Sequence, residues 1–278
     1  MKKFNIKTLG CRVNQYDTQY VREQLLRAGW VENTDVNGAD LCVINTCTIT
    51  ENSDTKAKYF LRQAQRENPK AKMILTGCFT EKMKKLSGVD VFVSNLEKEQ
   101  FLVKAGLLTQ EEAFEILGSH FHISQFEGRT RAFVKAQDGC DAFCSFCIVP
   151  FTRGRSKSRR VEEVLQEVRA LVLNGYQEVV LTGVHLGSYG LKKEDPNSLA
   201  DIIETVSRVP GLKRLRLSSL EPMGLSSELI KRLSGLENLS PHFHLPVQSG
   251  NNRVLEVMRR NYHVESFLYH TELVKKYF

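Results

Sequence analysis

The apolar and polar positions divide the chain into alternating strand and helix signals. Residues 4–9 alternate as a short strand ending at Gly10-Cys11, and Asn14 to Ala28 carries Tyr16, Tyr20, Val21, Leu25 and Leu26 near helical spacing before Gly29. The run between Asp40 and Asn45 is continuously apolar, the pattern of a strand buried on both faces of a parallel sheet. A polar helix over about 54–67 stops at Asn68-Pro69, Met73 to Thr76 is the next buried strand, and a further helix leads to a strand at Val89–Ser94. This alternation predicts a parallel sheet with helices on its faces. Residues 95–128 read as a connector, helical at 97–106 and 111–117 and without a clear period over 118–127, where His120 and His122 alternate. A second series begins at Arg131, with strands at 132–136, 178–182, 212–219 and 242–247 and helices at 161–174, 199–209, 229–233, 251–260 and 265–278. The expected organisation is an α/β class protein with an N-terminal parallel α/β domain over 1–117, a linker over 118–130 and a second β/α domain over 131–278.

Composition adds constraints. In 278 residues, 41% hydrophobic and 26% charged content is ordinary for a soluble globular chain. No apolar run approaches the ~20 residues of a membrane span, and Met-Lys-Lys-Phe-Asn-Ile-Lys lacks the apolar core of a secretory signal. A cytoplasmic location and no membrane partner are therefore expected. Seven cysteines, odd in number and scattered, suit a reducing compartment and metal ligation better than a disulfide framework. A net charge of +7 is compatible with a nucleic-acid partner. The basic run Arg153-Gly-Arg-Ser-Lys-Ser-Arg-Arg160 reads either as phosphate contacts or as a solvated face.

The chemistry concentrates in Cys140-Asp-Ala-Phe-Cys144-Ser-Phe-Cys147, a loop leaving the end of the 132–136 strand. Three thiolates this close select zinc, copper(I) or an iron–sulfur cluster. A closed zinc site wants four ligands, and the next His is His185, beyond ordinary finger spacing. A 4Fe-4S cluster held by three thiolates leaves one iron open, and Phe143 and Phe146 would keep it partly dry. Cys11, Cys47 and Cys78 each lie just past the carboxyl end of a predicted strand, where parallel α/β folds place ligands. A single such Cys is more often a small buried hydrophobe. Three at equivalent strand ends would converge on one sheet edge. Cys42 lies inside Leu41-Cys42-Val43-Ile44 and reads as core.

On these residues the chain resembles the methylthiotransferases of the radical S-adenosylmethionine (SAM) superfamily. The resemblance rests on Thr8-Leu-Gly-Cys-Arg-Val-Asn14, Ile44-Asn-Thr-Cys-Thr48, Thr76-Gly-Cys78, the central Cys triplet and His244-Leu-Pro-Val-Gln-Ser-Gly250, so it covers nearly the whole chain. It implies a radical 4Fe-4S cluster on Cys140, Cys144 and Cys147, whose open iron chelates SAM, and an auxiliary 4Fe-4S cluster on Cys11, Cys47 and Cys78. One SAM would methylate a sulfur at the auxiliary cluster, and a second would give the radical that takes hydrogen from carbon two of an adenine. Gly183, Glu221 and Gln248 are the candidate SAM contacts.

Gln137-Asp-Gly-Cys140, Thr182 to Gly190 and Leu217-Ser-Ser-Leu-Glu-Pro222 look most like the branch acting on N6-threonylcarbamoyladenosine at position 37 of tRNA. The alternatives are the isopentenyladenosine branch, the branch modifying ribosomal protein S12, and a shortened, non-catalytic iron–sulfur protein. The implied partners are tRNA, an electron donor such as a flavodoxin or ferredoxin, and a sulfur source. The second domain reads as a partial (β/α) barrel with about four of the family's usual six units, and the family's small RNA-binding TRAM domain is not found. The resemblance thus implies a shortened member that keeps its clusters, with a strand at 242–247 as an open edge and little coupled turnover of tRNA.

Overall fold

The computed structural model describes residues 1–48, 50–79, 83, 86–119, 121–192 and 194–278. They form two units, one of Met1–Ile123 with Phe151–Arg153, the other of Ser124–Pro150 with Gly154–Phe278.

In the first unit the apolar runs become strands β1 (Lys3–Thr8), β2 (Val31–Glu32), β3 (Leu41–Thr46), β4 (Lys72–Gly77) and β5 (Val91–Ser94). They pair in the order β2-β1-β3-β4-β5, all parallel. Strand β3 is central and every residue in it is buried, as its unbroken apolar run requires. Helices α1 (Arg12–Arg27), α2 (Glu51–Glu67), α3 (Phe101–Lys104) and α4 (Gln110–Leu117) connect and cover the sheet. Side chains alternate across a strand. Leu41 and Val43 therefore share one core with Val21 and Leu25 of α1 and Phe101 and Leu102 of α3. Cys42 and Ile44 face the other, with Ala57, Leu61 and Ala64 of α2. Cys42 is core, as expected, and burial pushes its thiol up to about 11.

Thr50 starts α2 by accepting the Ser53 N–H, and Asn68 stops it, donating its side chain to the carbonyls of Val36 and Ala39. The short β2 and its pairing with β1 carried no sequence signal, since two residues have no period. The expected helix between Cys78 and Val89 falls mostly outside the described residues, and so does His120. Leu25 is fully buried in the core against which the single tryptophan, Trp30, packs. Leu25→Ala should cost about 2–5 kcal/mol. Urea titration followed by Trp30 fluorescence reads this in the first unit directly.

In the second unit the strands are β6 (Ala132–Asp138), β7 (Lys157–Ser158), β8 (Glu178–Gly183) and β9 (Arg214–Leu217), in the order β7-β6-β8-β9. The β6–β8–β9 ladders are parallel and β7 is antiparallel to β6. Helix α5 (Val149–Arg153) leaves this unit in its last three residues. Helices α6 (Val161–Leu173), α7 (Leu199–Ser207), α8 (Ser227–Ser234), α9 (Asn252–Val257) and α10 (Val264–Tyr277) follow. Fully buried Val164, Val168 and Leu171 of α6 and Ile202, Ile203 and Val206 of α7 supply core alongside Val134, Val179 and Leu181.

One expectation needs correction. Residues 242–247 form no strand, so among the described residues the second unit has three parallel strands instead of about four. Just before this segment Leu239 bridges Leu215 of β9, and within it His244 accepts the Leu220 N–H at its carbonyl and lies 2.7 Å through Nδ1 from Ser219 Oγ. Pro241 and Pro246 each lack a backbone donor, and the residues between are half-buried or exposed, so no ladder is built.

Candidate metal centres

The loop of Cys140, Cys144 and Cys147 is held from its first residue. The β6–β8 register shifts between Lys135 and Gln137, a bulge that re-aims the strand end. Gln137, fully buried, donates Nε2 to the carbonyls of Asp138 and Gly139 (2.8 Å each) and to Ser156 Oγ (3.0 Å). Its Oε1 accepts the backbone N–H of His185 at 2.8 Å. One amide thereby fixes both the Cys loop and the turn after β8. Gly139 sits at φ 69°, where a side chain would collide with the Arg155 carbonyl. Farther along, Ser145 N–H donates to the Met258 carbonyl (3.2 Å) and Cys147 N–H to the Cys144 carbonyl (3.0 Å).

Two of the three thiols are shifted by their surroundings. Burial raises the Cys140 pKa, and negative charge at Cys144, Cys147 and Asp141 raises it further, against the Ala142 N–H that donates to its sulfur at 3.4 Å. Cys144, 9% exposed, is raised first by burial and then by Cys147 and Glu221, with Arg260 opposing. Thiolates ligate metals, and a soft cation between them relieves this mutual repulsion. The donor set therefore fits a thiolate-held metal group. His185 Nδ1 lies 3.7 Å from the Cys140 sulfur. Burial, with Arg260, pulls the His185 pKa down against Glu221 and Asp141, which keeps the ring neutral at pH 7. Of the two aromatics expected to shield the loop, Phe143 is half-buried under the Arg155 guanidinium, whereas Phe146 is 55% exposed.

Beside the loop is a cavity of about 400 Å³ with Ala142, His185, Tyr189, Glu221, Arg260 and Tyr262 on its wall. Glu221 accepts from Arg260 Nη1 at 3.3 Å. The Arg260 side chain is 9% exposed, and its Nε has no hydrogen-bond partner among the described residues. Of the three candidate SAM contacts, only Glu221 reaches this wall. Gly183 packs on Gln137, where a Cβ would come within 2.9 Å of Oε1, and Gln248 is exposed at φ 61°.

In the first unit the Thr46–Gly77 pair closes the β3–β4 ladder, with Cys47 and Cys78 next in each chain. Neighbouring strands run ~4.8 Å apart, so these two cysteines leave the same sheet edge side by side. Both are buried, at 4% and 2% exposure, while Cys11 is exposed at the start of α1. Gly10, at φ 100°, closes the Cys11 loop over Cys47, and a Cβ there would lie 2.6 Å from the Cys47 Cβ and 2.9 Å from its sulfur. Gly77, also at φ 100°, has no room for a side chain against Asn45 and Thr46. Buried Asn14 donates to the carbonyls of Leu9 (2.8 Å) and Thr46 (2.6 Å). Buried Asn45 donates to the Asn14 carbonyl and to Thr18 Oγ1, 2.8 Å each. The loops carrying all three cysteines are thus tied together, a cradle that fits a group bound through soft thiolates. Among the described residues, no three His, Cys, Asp or Glu side chains stand ready as a single-ion site.

The basic run is divided, with three of its five cations exposed and two held inside. Arg153 is buried, and Arg159 is held by Glu167 at 3.1 Å. Arg155 and Arg160 are exposed beside Asp141 and Glu162, and Lys157 is exposed. The sequence names Gln137 and His185 only inside longer motifs and Arg153 only inside the basic run, and gives none of them, nor Arg260, a place at these sites. Their one shared signal is a polar residue at or just past a strand end or inside a charged run, and ordinary surface gives the same signal.

Two family models match the chain: Uncharacterized protein family UPF0004 over residues 3–94 and Radical SAM superfamily over residues 134–278. Threonylcarbamoyladenosine tRNA methylthiotransferase MtaB of Chlamydia pneumoniae is 39% identical over 95% of this chain and 62% of its own length. The protein of that name from Aquifex aeolicus (strain VF5) is 36% identical over 95% of this chain and 67% of its own. A tRNA-2-methylthio-N(6)-dimethylallyladenosine synthase of Staphylococcus haemolyticus (strain JCSC1435) is 34% identical over 99% of this chain and 57% of its own. The chain thus spans 62% of the length of the Chlamydia relative. Among solved structures, the radical S-adenosylmethionine methyltransferase TsrM from Kitasatospora setae, with tryptophan substrate and a SAM analog bound, has a TM-score of 0.67 at 13% identity. That match covers 99% of this chain and 66% of the other, a likeness of fold. With a matching model over its second half and relatives aligned along nearly all of it, the chain belongs to the radical SAM superfamily and, within it, to the methylthiotransferase family.

Proposed function

We propose that this chain carries the chemistry that adds a methylthio group to carbon two of N6-threonylcarbamoyladenosine at position 37 of tRNA. The observation that carries the reading is the pair of cysteine triads, each next to the carboxyl ends of parallel strands in its own unit. Cys140, Cys144 and Cys147 hold the 4Fe-4S cluster to which SAM binds, and Cys11, Cys47 and Cys78 hold a second 4Fe-4S cluster that handles sulfur. Bound together, the first cluster and SAM supply one-electron chemistry, the kind an unactivated aromatic C–H requires.

The chain's own part is placement. Gln137 holds the Cys loop and the His185 turn in one geometry. Glu221, on the cavity wall, offers a carboxylate to the amino or hydroxyl groups of SAM, and Arg260 orients it through a hydrogen bond. Arg260 also sets positive charge near Cys144, which favours the thiolate. The partners that go with this reading are tRNA in the cytoplasm, an electron donor such as a flavodoxin or ferredoxin, and a sulfur source. Among the described residues no helix is long and apolar enough to cross a membrane.

Similarity to a dimethylallyladenosine synthase favours a second reading, methylthiolation of that base. Mass spectrometry of tRNA nucleosides from a deletion strain and its complemented parent separates the two. The first reading expects the methylthio form of threonylcarbamoyladenosine to vanish and its precursor to accumulate, with the dimethylallyl nucleosides unchanged. The reverse pattern establishes the second reading, and no change in either overturns both.

A further inference from the structure

A buried guanidinium is costly unless its donors are met. Arg153 is 2% exposed and lies with Phe151 and Thr152 in the first unit. Its Nη2 donates to Asn14 Oδ1 at 2.5 Å and to Asp17 Oδ2 at 2.8 Å. Asp17 is itself 1% exposed and accepts from Lys98 Nζ at 3.1 Å, so the carboxylate that orients Arg153 is fixed from a second side. The Arg153 Nε–H then points at the Cys78 sulfur, 3.3 Å away. A second donor reaches the same atom: Asn95 Nδ2 lies 3.5 Å from it and 3.2 Å from the Thr152 carbonyl, which anchors the amide.

A protonated thiol is a weak acceptor, and two N–H groups aimed at it gain little. A thiolate carrying a share of negative charge gains much more, because hydrogen bonds with an ionised partner are roughly twice as strong. When a cluster ligated by that thiolate takes up an electron, the added charge is felt at sulfur. Hydrogen bonds to the sulfurs, together with nearby charge, are among the terms that set cluster potentials. From this arrangement we infer that Arg153 and Asn95 are positioning residues that raise the reduction potential of the second cluster through the Cys78 sulfur. The inference rests on the proposed ligation by Cys11, Cys47 and Cys78. Lysine cannot replace arginine here, since a point charge on a flexible stem lacks the planar fork that serves Asn14, Asp17 and Cys78 at once.

The test uses the full chain with Cys140, Cys144 and Cys147 all changed to Ala, so that only the second cluster is read. After reconstitution, EPR-monitored titration with dithionite as one-electron reductant gives its midpoint, and loaded molecules alone contribute signal. Arg153→Lys is expected to lower the reduced-to-oxidised ratio at the parent's midpoint about tenfold, a shift of ~59 mV for one electron. Asn95→Ala should shift it the same way by less. A purely structural role would lower iron content and leave the midpoint of the remaining clusters where it was. Unchanged midpoints in both variants, at any iron loading, overturn the inference. Absence of iron from the parent triple variant overturns the ligand assignment instead, and this inference with it.

Discussion

A strain whose only copy of the gene carries Cys47→Ala is expected to make tRNA with no methylthio group on threonylcarbamoyladenosine. The purified variant should still convert SAM to 5′-deoxyadenosine under reducing conditions. The division follows from where the residues lie. Cys47 leaves β3 under the Gly10 turn in the first unit, while the loop proposed to bind SAM is built on β6 and held by Gln137 and the Met258 carbonyl in the second. Substituting Ala at a 4%-exposed Cys removes one sulfur and leaves the surrounding Asn14 and Asn45 hydrogen bonds in place. The effect should fall on sulfur handling, with the fold intact. Full methylthio product from Cys47→Ala would mean that Cys11, Cys47 and Cys78 do not form the sulfur-handling site.

The second large effect is expected from replacing Cys140, Cys144 and Cys147 together with Ala. Iron should fall to about half, because only the cluster on Cys11, Cys47 and Cys78 remains, and SAM cleavage should be lost altogether. Retained SAM cleavage would place the radical chemistry elsewhere. Complete loss of iron would overturn the assignment of Cys11, Cys47 and Cys78 as ligands of a second cluster.

Strands β3, β4 and β8 are legible in the sequence because each carries a run of apolar residues ending at a polar or glycine residue, and burial on both faces leaves that pattern little freedom, whereas β1 and β6 are legible from alternation. Cys47 and Cys78 could be placed at one edge for the same reason: in a parallel sheet, chain direction alone puts every carboxyl end on one side. Residues 242–247 mislead because His242, Phe243, His244 and Leu245 alternate like a strand while the flanking prolines deny it a ladder. Helix α5 and strand β7 are five and two residues long, too short to show a period.

The buried network around Cys78 is illegible for another reason. Asn14 and Asp17 come from α1, Asn45 from β3, Lys98 and Asn95 from the turn after β5, and Arg153 from α5. Residues 14 and 153 touch only because the fold brings them together. In the sequence Arg153 is one of five cations in a row that reads as a surface, and nothing local separates it from Arg155, which is exposed. Glu221 was reachable because it sits just past β9, the position where such sheets present side chains to ligand.

On the proposed function, one chain holds two thiolate-bound iron clusters. Anaerobic reconstitution of the unmodified 278-residue chain, with iron and acid-labile sulfide measured per chain and Mössbauer spectra recorded, tests it most directly. About eight irons and a matching amount of sulfide are expected, all in four-iron clusters. Tightly bound zinc with no visible absorption, or iron that never exceeds about four per chain, would contradict it.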